Sequence, residues 1–405
     1  MDGRRRIVIS SQFIKSVIAS LFYWLEATRE MDEKAIVVLD RERQNLFRAV
    51  RHGLALGQAW EITAELSLAV IPLVNRRLYY REWIPVLAQL VSGSPADHER
   101  TKFDLLTQLG RLQRLEQDRD TAMDTLQEAV TLAQKLEDEQ ALARAYYHIG
   151  RLYLDARNYP EAEEKSQNAL DILAGLEVVD QTLMAWVLNT LGKVTQIKGD
   201  FNLADEYYSR SSSIWRHLGD QTGLARALID LGINFRWFSK PDRAITHYKE
   251  AEGLLSSTNN ELDKTTLGIN LGATYFDIKE YSLAEDTLRN AYSPYLRKSG
   301  DLIHQAILTM NLANVLLASG RLAEAEAYAH QAIALWGKLD DDLNRANSIG
   351  ILGEILAGKG QAEEAIPLFD QAITLFKKYP SHPRAIRSIN NFQAEKQKVE
   401  DRLNR

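Results

Sequence analysis

The sequence contains no cysteine and no excess of positive charge. The absence of cysteine excludes disulfides, zinc sites built from thiolates and cysteine nucleophiles. The formal net charge of −6 argues against general binding to polyanions. Charged residues make up 26% of the chain and hydrophobic residues 45%, a balance that indicates a soluble intracellular protein.

Recognisable catalytic and metal-binding motifs are missing as well. None of the eight histidines has the spacing found in zinc proteases, and no Gly-x-Ser-x-Gly nucleophile elbow occurs. Residues 353–360 come close to a phosphate-binding loop, but Gly360 stands where serine or threonine is required. The segment also begins inside a predicted helix, with no preceding strand. We therefore expect no enzymatic activity, no cofactor and no bound metal.

One apolar run, from Ile7 to Leu25 after Arg4-Arg5-Arg6, resembles a targeting signal. Gln12 and Lys15 interrupt it, and no small-x-small cleavage site follows. Its apolar residues keep helical spacing at Phe13, Ile14, Val17, Ile18, Leu21, Phe22 and Leu25. We predict a soluble amphipathic helix, no membrane span and a cytoplasmic location, with a signal or membrane-surface helix as the alternative.

The sequence does contain a repeat. Alanine recurs with spacings of 40, 42, 40, 40, 41 and 40 residues. The series is Ala122, Ala162, Ala204, Ala244, Ala284, Ala325 and Ala365. A period of this length predicts an array of supersecondary units.

Two further series of small residues share this register. Twelve residues before the alanines lie Gly110, Gly150, Gly192, Gly232, Gly272, Ala313 and Gly353. Seven residues after them lie Ala129, Ala169, Ser211, Ala251, Ala291, Ala332 and Ala372. Two helices approach to roughly 8–10 Å only where the facing residues are small. Each unit is therefore predicted to be a closely packed pair of antiparallel helices.

This pattern of small and aromatic residues resembles the tetratricopeptide repeat (TPR) superfamily. The resemblance rests on Leu231-Gly232, Phe235, Ala244, Tyr248 and Ala251, and on Gly150, Tyr153, Tyr159, Ala162 and Ala169. The unit of 40–42 residues is longer than the common one and lacks its usual proline near the end. The resemblance implies an all-α fold, a right-handed α-solenoid of antiparallel helix pairs with a helical N-terminal extension and a C-terminal capping helix.

Seven units are predicted over residues 101–381. Their ranges are 101–140, 141–180, 181–220, 221–260, 261–301, 302–341 and 342–381. Residues 382–405 are expected to form the capping helix, residues 59–100 a degenerate repeat with Trp83 in place of alanine, and residues 1–58 the extension. Pro294 and Pro367 fall within second helices and are expected to bend or shorten them.

A second, narrower resemblance lies in the N-terminal extension. Residues 40–50 are similar to the acidic-x-x-Asn-Leu-x-x-Ala segment that opens the repeat region of bacterial STAND (NB-ARC-like) signalling regulators. It implies a signalling role in which ligand binding releases or engages an effector. Because the nucleotide-binding motor of those regulators is missing here, the chain is either an excised sensor region or a stand-alone subunit with an effector or ATPase partner.

One stripe of each first helix faces away from the glycine, and the TPR resemblance implies that it lines the concave groove of a superhelix. Early units place cations there, which would favour an acidic segment, a carboxyl terminus or a phosphate. Later units place asparagines there, whose amides can hold a peptide backbone. The candidate ligand-binding residues are Arg111, Arg114, Arg144, Tyr147, His148, Arg151, Trp186, Asn189, Lys193, Arg226, Arg236, Trp237, Asn270, Asn311 and Asn314.

Several of these side chains have a second interpretation. The arginines could pair with Asp155, Asp230 or Asp277 across neighbouring repeats. Trp186 and Trp237 could anchor a peptide or pack between repeats. His148 is expected to be a solvated groove residue rather than a metal ligand or a base.

The sequence thus predicts a non-catalytic module that captures a protein or peptide segment, with an acidic segment as one candidate. It would act as a sensor, adaptor or scaffold in signalling. The alternative is a nucleic-acid or anionic-ligand binder that uses the arginine-rich early units, and its affinity would fall steeply with salt. The acidic net charge makes nucleic acid the less favoured partner.

Overall fold

The computed structural model describes residues 10–29, 33–256, 258, 260–380 and 382–403. All regular secondary structure in these ranges is helical. Arg4 to Arg6 and the start of the apolar run lie outside the described residues. The chain divides into two compact units, residues 1–215 and 216–405, and the boundary falls near the end of one helix.

In the described part of unit 1, six α-helices are followed by three helix pairs. The first six are α1 (Ser11–Ala27), α2 (Glu33–Arg41), α3 (Arg43–Leu54), α4 (Trp60–Ala69), α5 (Ile71–Arg77) and α6 (Tyr80–Ser92). The pairs are α7 (Glu99–Leu115) with α8 (Arg119–Lys135), α9 (Glu139–Asp155) with α10 (Tyr159–Gly175), and α11 (Gln181–Lys198) with α12 (Phe201–Leu218), whose last residues belong to unit 2.

Unit 2 contains four helix pairs and a final helix. The first two pairs are α13 (Gln221–Trp237) with α14 (Pro241–Ser256), and α15 (Glu261–Asp277) with α16 (Tyr281–Ala291), which is followed by the short α17 (Pro294–Ser299). The next are α18 (Leu302–Ala318) with α19 (Leu322–Lys338), and α20 (Asp342–Gly358) with α21 (Ala362–Phe376). The final helix is α22 (Pro383–Leu403).

Helix α1 is amphipathic, as the sequence predicts, but its buried stripe is narrower than expected. Val17, Leu21 and Trp24 are buried, and α1 packs against α3 and α4. Phe13 and Phe22 are instead 43% and 56% exposed. Phe22 directly follows the buried Leu21, and the helical rotation of about 100° per residue carries its ring off the buried stripe. Phe13 lies in the first turn of α1, on the side of Val17. Within the described residues, every helix is too short or too polar to cross a bilayer.

The acidic-x-x-Asn-Leu-x-x-Ala segment has a local structural role. Asn45 Nδ2 donates to Glu42 Oε2 at 2.8 Å, while Leu46 and Ala49 are buried in the core. Asp40, two residues before Glu42, accepts a hydrogen bond from the Tyr79 hydroxyl at 2.6 Å. Residues 40–50 therefore form a side-chain hydrogen bond at the start of α3 and a second one with Tyr79, which directly precedes α6.

The glycines of the repeat lie where paired helices touch. A Cβ atom on Gly110 would lie 2.7 Å from Leu126 Cγ, and one on Gly192 would lie 2.7 Å from Tyr208 Cε1. Where the series has Ala313 instead, the residue sixteen positions later is Ala329, and both are buried. In the first two of these pairs, a glycine on the first helix thus faces a large side chain on the second helix, and where alanine replaces the glycine, the facing residue is also small.

The alanine series is buried throughout. All seven alanines have 0% exposed surface. In the series seven residues later, Ser211 replaces alanine and donates from Oγ to the Ala185 carbonyl at 2.9 Å. These contacts confirm the expectation that the small residues mark closely packed helices and that the fold is an all-α array of helix pairs.

The polar turns between pairs cap the helices that follow them. Asp138, Asp180 and Asp220 accept from the backbone N–H three residues later, at 2.8, 3.0 and 2.8 Å. Asp301 and Asp341 do the same at the start of α18 and α20. Such caps satisfy backbone donors that a helix leaves open at its N-terminus.

The two prolines in second helices have different effects. The second helix of the fifth pair ends at Ala291, and α17 starts anew at Pro294 with Ser293 as its cap. Pro367 lies inside α21, which runs unbroken to Phe376. The expected shortening is therefore confirmed at Pro294, whereas α21 continues through Pro367.

Candidate ligand-binding surface on the first helices

Four arginines of unit 1 surround one buried histidine. Arg111 and Arg114 lie on α7, and Arg144 and Arg151 lie on α9. Burial lowers the pKa of His148 well below its usual range, and the positive charges of all four arginines act in the same direction. The cluster thus holds the imidazole in its neutral form.

The expectation that His148 is a solvated groove residue is wrong. Only 7% of its surface is exposed. Its ring lies against Tyr147, with the two centroids 4.9 Å apart. His148 therefore lies beneath the surface, against the ring of Tyr147.

Two of the four arginines are paired with carboxylates of their own chain. Arg114 forms an ion pair with Asp155. Arg144 Nη1 lies 3.1 Å from Asp104 Oδ1, and its Nη2 lies 3.7 Å from Asp180 Oδ2. At Arg114 the structure thus matches the alternative interpretation, in which arginines pair across neighbouring repeats.

The other two arginines have no carboxylate partner among the described residues. Arg111 donates to two neutral amides, Gln108 Oε1 at 2.9 Å and Asn75 Oδ1 at 2.8 Å. Burial lowers the pKa of Arg111, which means that its charged form is poorly solvated. Arg151 has a buried Nε without a hydrogen-bond partner. Among the four arginines, these two are therefore the ones that no described carboxylate neutralises.

The third first helix of unit 1 adds one cation and two less accessible side chains. Lys193 is half-buried on α11. Trp186 packs against Trp215, with ring centroids 5.1 Å apart at 67°. Asn189 is only 3% exposed. The contact of Trp186 matches the packing interpretation, and Asn189 lies beneath the surface that a ligand would touch.

In unit 2 the candidate arginines are both paired. Arg226 Nε lies 3.1 and 2.8 Å from the two carboxylate oxygens of Asp263. Arg236 Nε lies 2.5 Å from Asp277 Oδ2. Trp237 is 58% exposed. Among the unit 2 candidates, this ring is therefore the one most open to solvent.

The asparagines of unit 2 are not equivalent. Asn270 Nδ2 donates to the backbone carbonyl of Thr266 at 2.8 Å, so part of its amide is already used. Asn311 and Asn314 are half-buried, and the described residues supply no hydrogen bond to their side chains. Among these three asparagines, the side-chain amides without a hydrogen bond from the described residues are therefore those of Asn311 and Asn314 on α18.

The last pair is covered by the chain itself. Gly350 of α20 lies directly against the ring of Phe392 on α22. Burial and, to a smaller extent, the negative charge of Glu395 on α22 raise the pKa of Glu354 to about 7. In the described part of the chain, no group of three potential metal-ligating side chains is assembled.

The sequence did not reveal the residues that decide which arginines are paired with a carboxylate. Asn75 lies on α5, and no periodic signal in the sequence brings α5 beside α7. Asp104 belongs to the predicted stripe, but its pairing with Arg144 depends on how α7 and α9 pack. The polar turn that contains Asp180 predicts that this residue caps a helix. It does not predict that Asp180 lies close to Arg144.

The comparisons with known proteins agree with this architecture. The family model described as tetratricopeptide repeat matches residues 183–257 and 304–378. The regulatory protein AfsR of Streptomyces griseus is 23% identical over 251 residues, which cover 62% of this chain and 24% of AfsR. The chain therefore spans about a quarter of the length of that curated relative.

Two solved structures share the fold. A signal transduction ATPase (STAND protein) with a tetratricopeptide repeat sensor, from Pyrococcus horikoshii, has a TM-score of 0.62 at 16% identity, over 96% of this chain and 56% of that one. A Rap protein complexed with Competence and Sporulation Factor has a TM-score of 0.58 at 14% identity, over 84% of this chain and 98% of that one. Residues 183–257 and 304–378 of this chain therefore carry tetratricopeptide repeats, in keeping with the glycine and alanine register of the helix pairs.

Proposed function

We propose that this chain is a non-catalytic sensor or adaptor that captures an extended, acidic protein or peptide segment along α7, α9 and α11. The proposal rests on the lack of a carboxylate partner at Arg111 and Arg151. Both guanidinium groups are half-buried, and no described carboxylate neutralises them. A buried charge without a counter-charge is costly, so an acidic ligand would relieve this cost on binding.

The relatives support a regulatory role. AfsR is a regulatory protein, and the Rap neighbour binds a separate factor. By analogy, we place this chain in cytoplasmic regulation, with an effector such as a STAND-type ATPase in the same polypeptide or in a partner subunit. Ligand capture would then engage or release that effector.

Unit 2 offers contacts of a different kind. The exposed ring of Trp237 could anchor an apolar side chain, and the amides of Asn311 and Asn314 could bind a peptide backbone. We propose these as neutral contacts. The paired Arg226 and Arg236 are expected to contribute less, because their charges are already neutralised.

The second candidate ligand is a nucleic acid or another polyanion. The positive charges of Arg111 and Arg151 would favour it as well. The acidic residues beside them count against it. Asp104, Asp155 and Asp180 lie within the same surface, where they would repel a continuous phosphate backbone. A short acidic segment can avoid these carboxylates, whereas a polyanion cannot.

Fluorescence anisotropy with labelled peptides tests the proposal. A fluorescein-labelled heptapeptide of glutamate should bind, while the matching glutamine heptapeptide should bind at least tenfold more weakly. Arg151→Gln should weaken glutamate binding about fivefold or more. Arg210→Gln, which removes an exposed cation from the second helix α12, should leave it unchanged.

Two results would count against the proposal. One is equal affinity for the glutamate and glutamine peptides. The other is tighter binding of a single-stranded thymidine oligonucleotide with a steep loss of affinity in salt, which would favour the second candidate.

A further inference from the structure

Unit 2 contains a cavity at the junction of its first two helix pairs. The cavity lies between the second helices α14 and α16, beside α15, and has a volume of about 450 Å³. Its walls include the buried side chains of Leu255, Leu267 and Leu271, together with Leu283, which is 48% exposed. A ligand with an apolar body would remove this apolar surface from water. The cavity is therefore a candidate binding site, separate from the surface of α7, α9 and α11.

A side chain that bridges successive second helices is missing at this cavity. Between α16 and α19, Tyr328 spans the corresponding gap, and its hydroxyl accepts from Arg289 Nη1 at 3.1 Å. Tyr328 is the third residue after the repeat alanine, and Tyr207 has the same position in α12. In α16 this position holds Thr287, which lines the cavity. Because threonine lacks the ring, the space between α14 and α16 is left unfilled.

The wall also contains a buried polar group without a partner. Thr265 lines the cavity and is only 2% exposed. The next residue, Thr266, donates from Oγ1 to the Leu262 carbonyl at 3.0 Å. No described residue forms a hydrogen bond with the hydroxyl of Thr265. A buried hydroxyl without a partner is unfavourable, so a ligand that pairs with it would remove this cost.

The charges around the cavity balance one another. Lys249 and Lys264 are the cations of its lining, and Glu252 and Glu261 are the anions. Lys264 Nζ lies 3.5 Å from Glu261 Oε1. An anion and a cation would each meet as much repulsion as attraction here, so the lining favours a neutral ligand.

The volume of the cavity indicates the size of the ligand. An apolar cavity of about 150 Å³ holds one benzene molecule, and pockets for small molecules typically measure roughly 300–1,000 Å³. At about 450 Å³, this cavity has room for two or three rings.

We infer that the cavity between α14, α15 and α16 binds a neutral, largely apolar small molecule of two or three rings, with one polar group that pairs with the hydroxyl of Thr265. The inference goes beyond the proposed capture of an acidic segment, because it concerns unit 2 and an uncharged ligand. The bound molecule would fill the space beside Thr287. It would thereby join α14 to α16, as Tyr328 joins α16 to α19.

Two dyes with the same framework test the inference. N-phenyl-1-naphthylamine is neutral, has three rings and carries one N–H group. 8-Anilino-1-naphthalenesulfonate is the same molecule with an added negative charge. Fluorescence titrations of the full chain should show saturable binding of the neutral dye, at least tenfold tighter than that of the charged dye.

Three variants locate the bound dye. Thr287→Tyr inserts the side chain that two other pairs have at this position, and it should weaken binding of the neutral dye at least tenfold. The matched control is Ser282→Tyr, at an exposed position of α16 outside the cavity, which should bind like the wild type. Thr265→Val keeps the shape of the side chain without its hydroxyl and should weaken binding about threefold or more. Circular dichroism of each variant checks that its helices are retained.

Several results would overturn the inference. The wild type could fail to bind the neutral dye saturably, or it could bind the charged dye as tightly. Full affinity in Thr287→Tyr would place the dye outside the cavity, and full affinity in Thr265→Val would exclude the hydrogen bond. None of these results affects the binding of the glutamate heptapeptide, so the two proposals stand or fall separately.

Discussion

Arg144 on α9 lies between two aspartates of neighbouring first helices, 3.1 Å from Asp104 and 3.7 Å from Asp180. Asp104 belongs to α7, and Asp180 caps α11. This one guanidinium therefore links three consecutive first helices of unit 1. Its function is structural, in contrast to that of Arg151 about two turns further along the same helix.

This contrast predicts different effects on stability. Arg144→Gln should lower the free energy of unfolding by about 1 kcal/mol, because it removes the guanidinium that Asp180 faces and one of the two that lie near Asp104. Arg151→Gln should leave stability unchanged or raise it slightly, because Arg151 has no carboxylate to lose. Urea unfolding followed by circular dichroism measures both. An equal loss in the two variants would show that Arg151 is also a structural cation.

A pair of glycines in unit 2 tests the role of small residues. Gly232 lies against Tyr248, whose Cδ1 would be 2.7 Å from an added Cβ, whereas nothing lies within 4 Å of a Cβ on Gly253. Gly232→Ala should cost about 2 kcal/mol through overpacking. Gly253→Ala, inside α14, should add about 0.5–1 kcal/mol through the better helix propensity of alanine. Thermal unfolding that shows the same sign for both variants would contradict the contact argument.

His148 predicts a loss of stability in mild acid. Its folded-state pKa lies well below the usual 6.5, so on acidification the unfolded chain takes up a proton before the folded chain does. The contribution of His148 is fully present above about pH 6.5 and is lost below it, at a slope of up to about 1.4 kcal/mol per pH unit. In His148→Gln, unfolding free energies between pH 7 and pH 5 should fall less steeply. An imidazole NMR resonance of His148 that titrates near pH 6.5 would refute the argument.

Glu354 predicts the opposite dependence. Its pKa is raised to about 7, so the cost of ionising this buried carboxyl is absent below about pH 4.5, develops between pH 4.5 and 7, and is complete above pH 7. Glu354→Gln should therefore be more stable than the wild type at pH 8, by on the order of 3 kcal/mol, and equal to it near pH 4. The exposed Glu363→Gln on α21 is the control and should track the wild type at every pH. A constant difference between Glu354→Gln and the wild type would exclude ionisation as the cause.

A cavity of about 450 Å³ lies between α14, α15 and α16. Gly268 and Glu252 both line it, and both depart from the other repeats. Where Gly268 stands, other units have Leu106, Leu188, Leu228 and Ile349, and where Glu252 stands, other units have Val130, Leu170 and Ile373. The cavity thus lies where a glycine and an exposed glutamate occupy positions at which most other units have a larger apolar side chain.

Restoring one of these side chains should stabilise unit 2. Glu252→Leu should raise the free energy of unfolding by about 1 kcal/mol, because the new side chain covers apolar lining that is now open to water. The control is Glu250→Leu on the same helix, which does not line this cavity and loses an exposed ion pair with Arg216, so that no gain is expected. A gain in both variants would point to a general effect of removing charge from α14.

Much of the fold could be predicted from the sequence, because every repeat requires small residues at the same positions. Gly192 must be small since Tyr208 lies on it, and the alanine series must be small since it has no exposed surface. The N-terminal part was less readable. Residues 59–100 contain α4, α5 and α6 where the sequence predicts one degenerate pair, and Phe22 is exposed although its spacing suggests burial.

The sequence by itself determined the repeat register, and with it the positions at which Arg111, Arg151 and Lys193 recur, because side-chain size and helical period are local properties. Only the tertiary structure decided which cations are neutralised. Arg114 meets Asp155 forty-one residues away, whereas Arg151 meets no carboxylate in the described chain. Ion pairing depends on distances of a few ångströms between separate helices, and such distances are set by packing rather than by spacing along the chain.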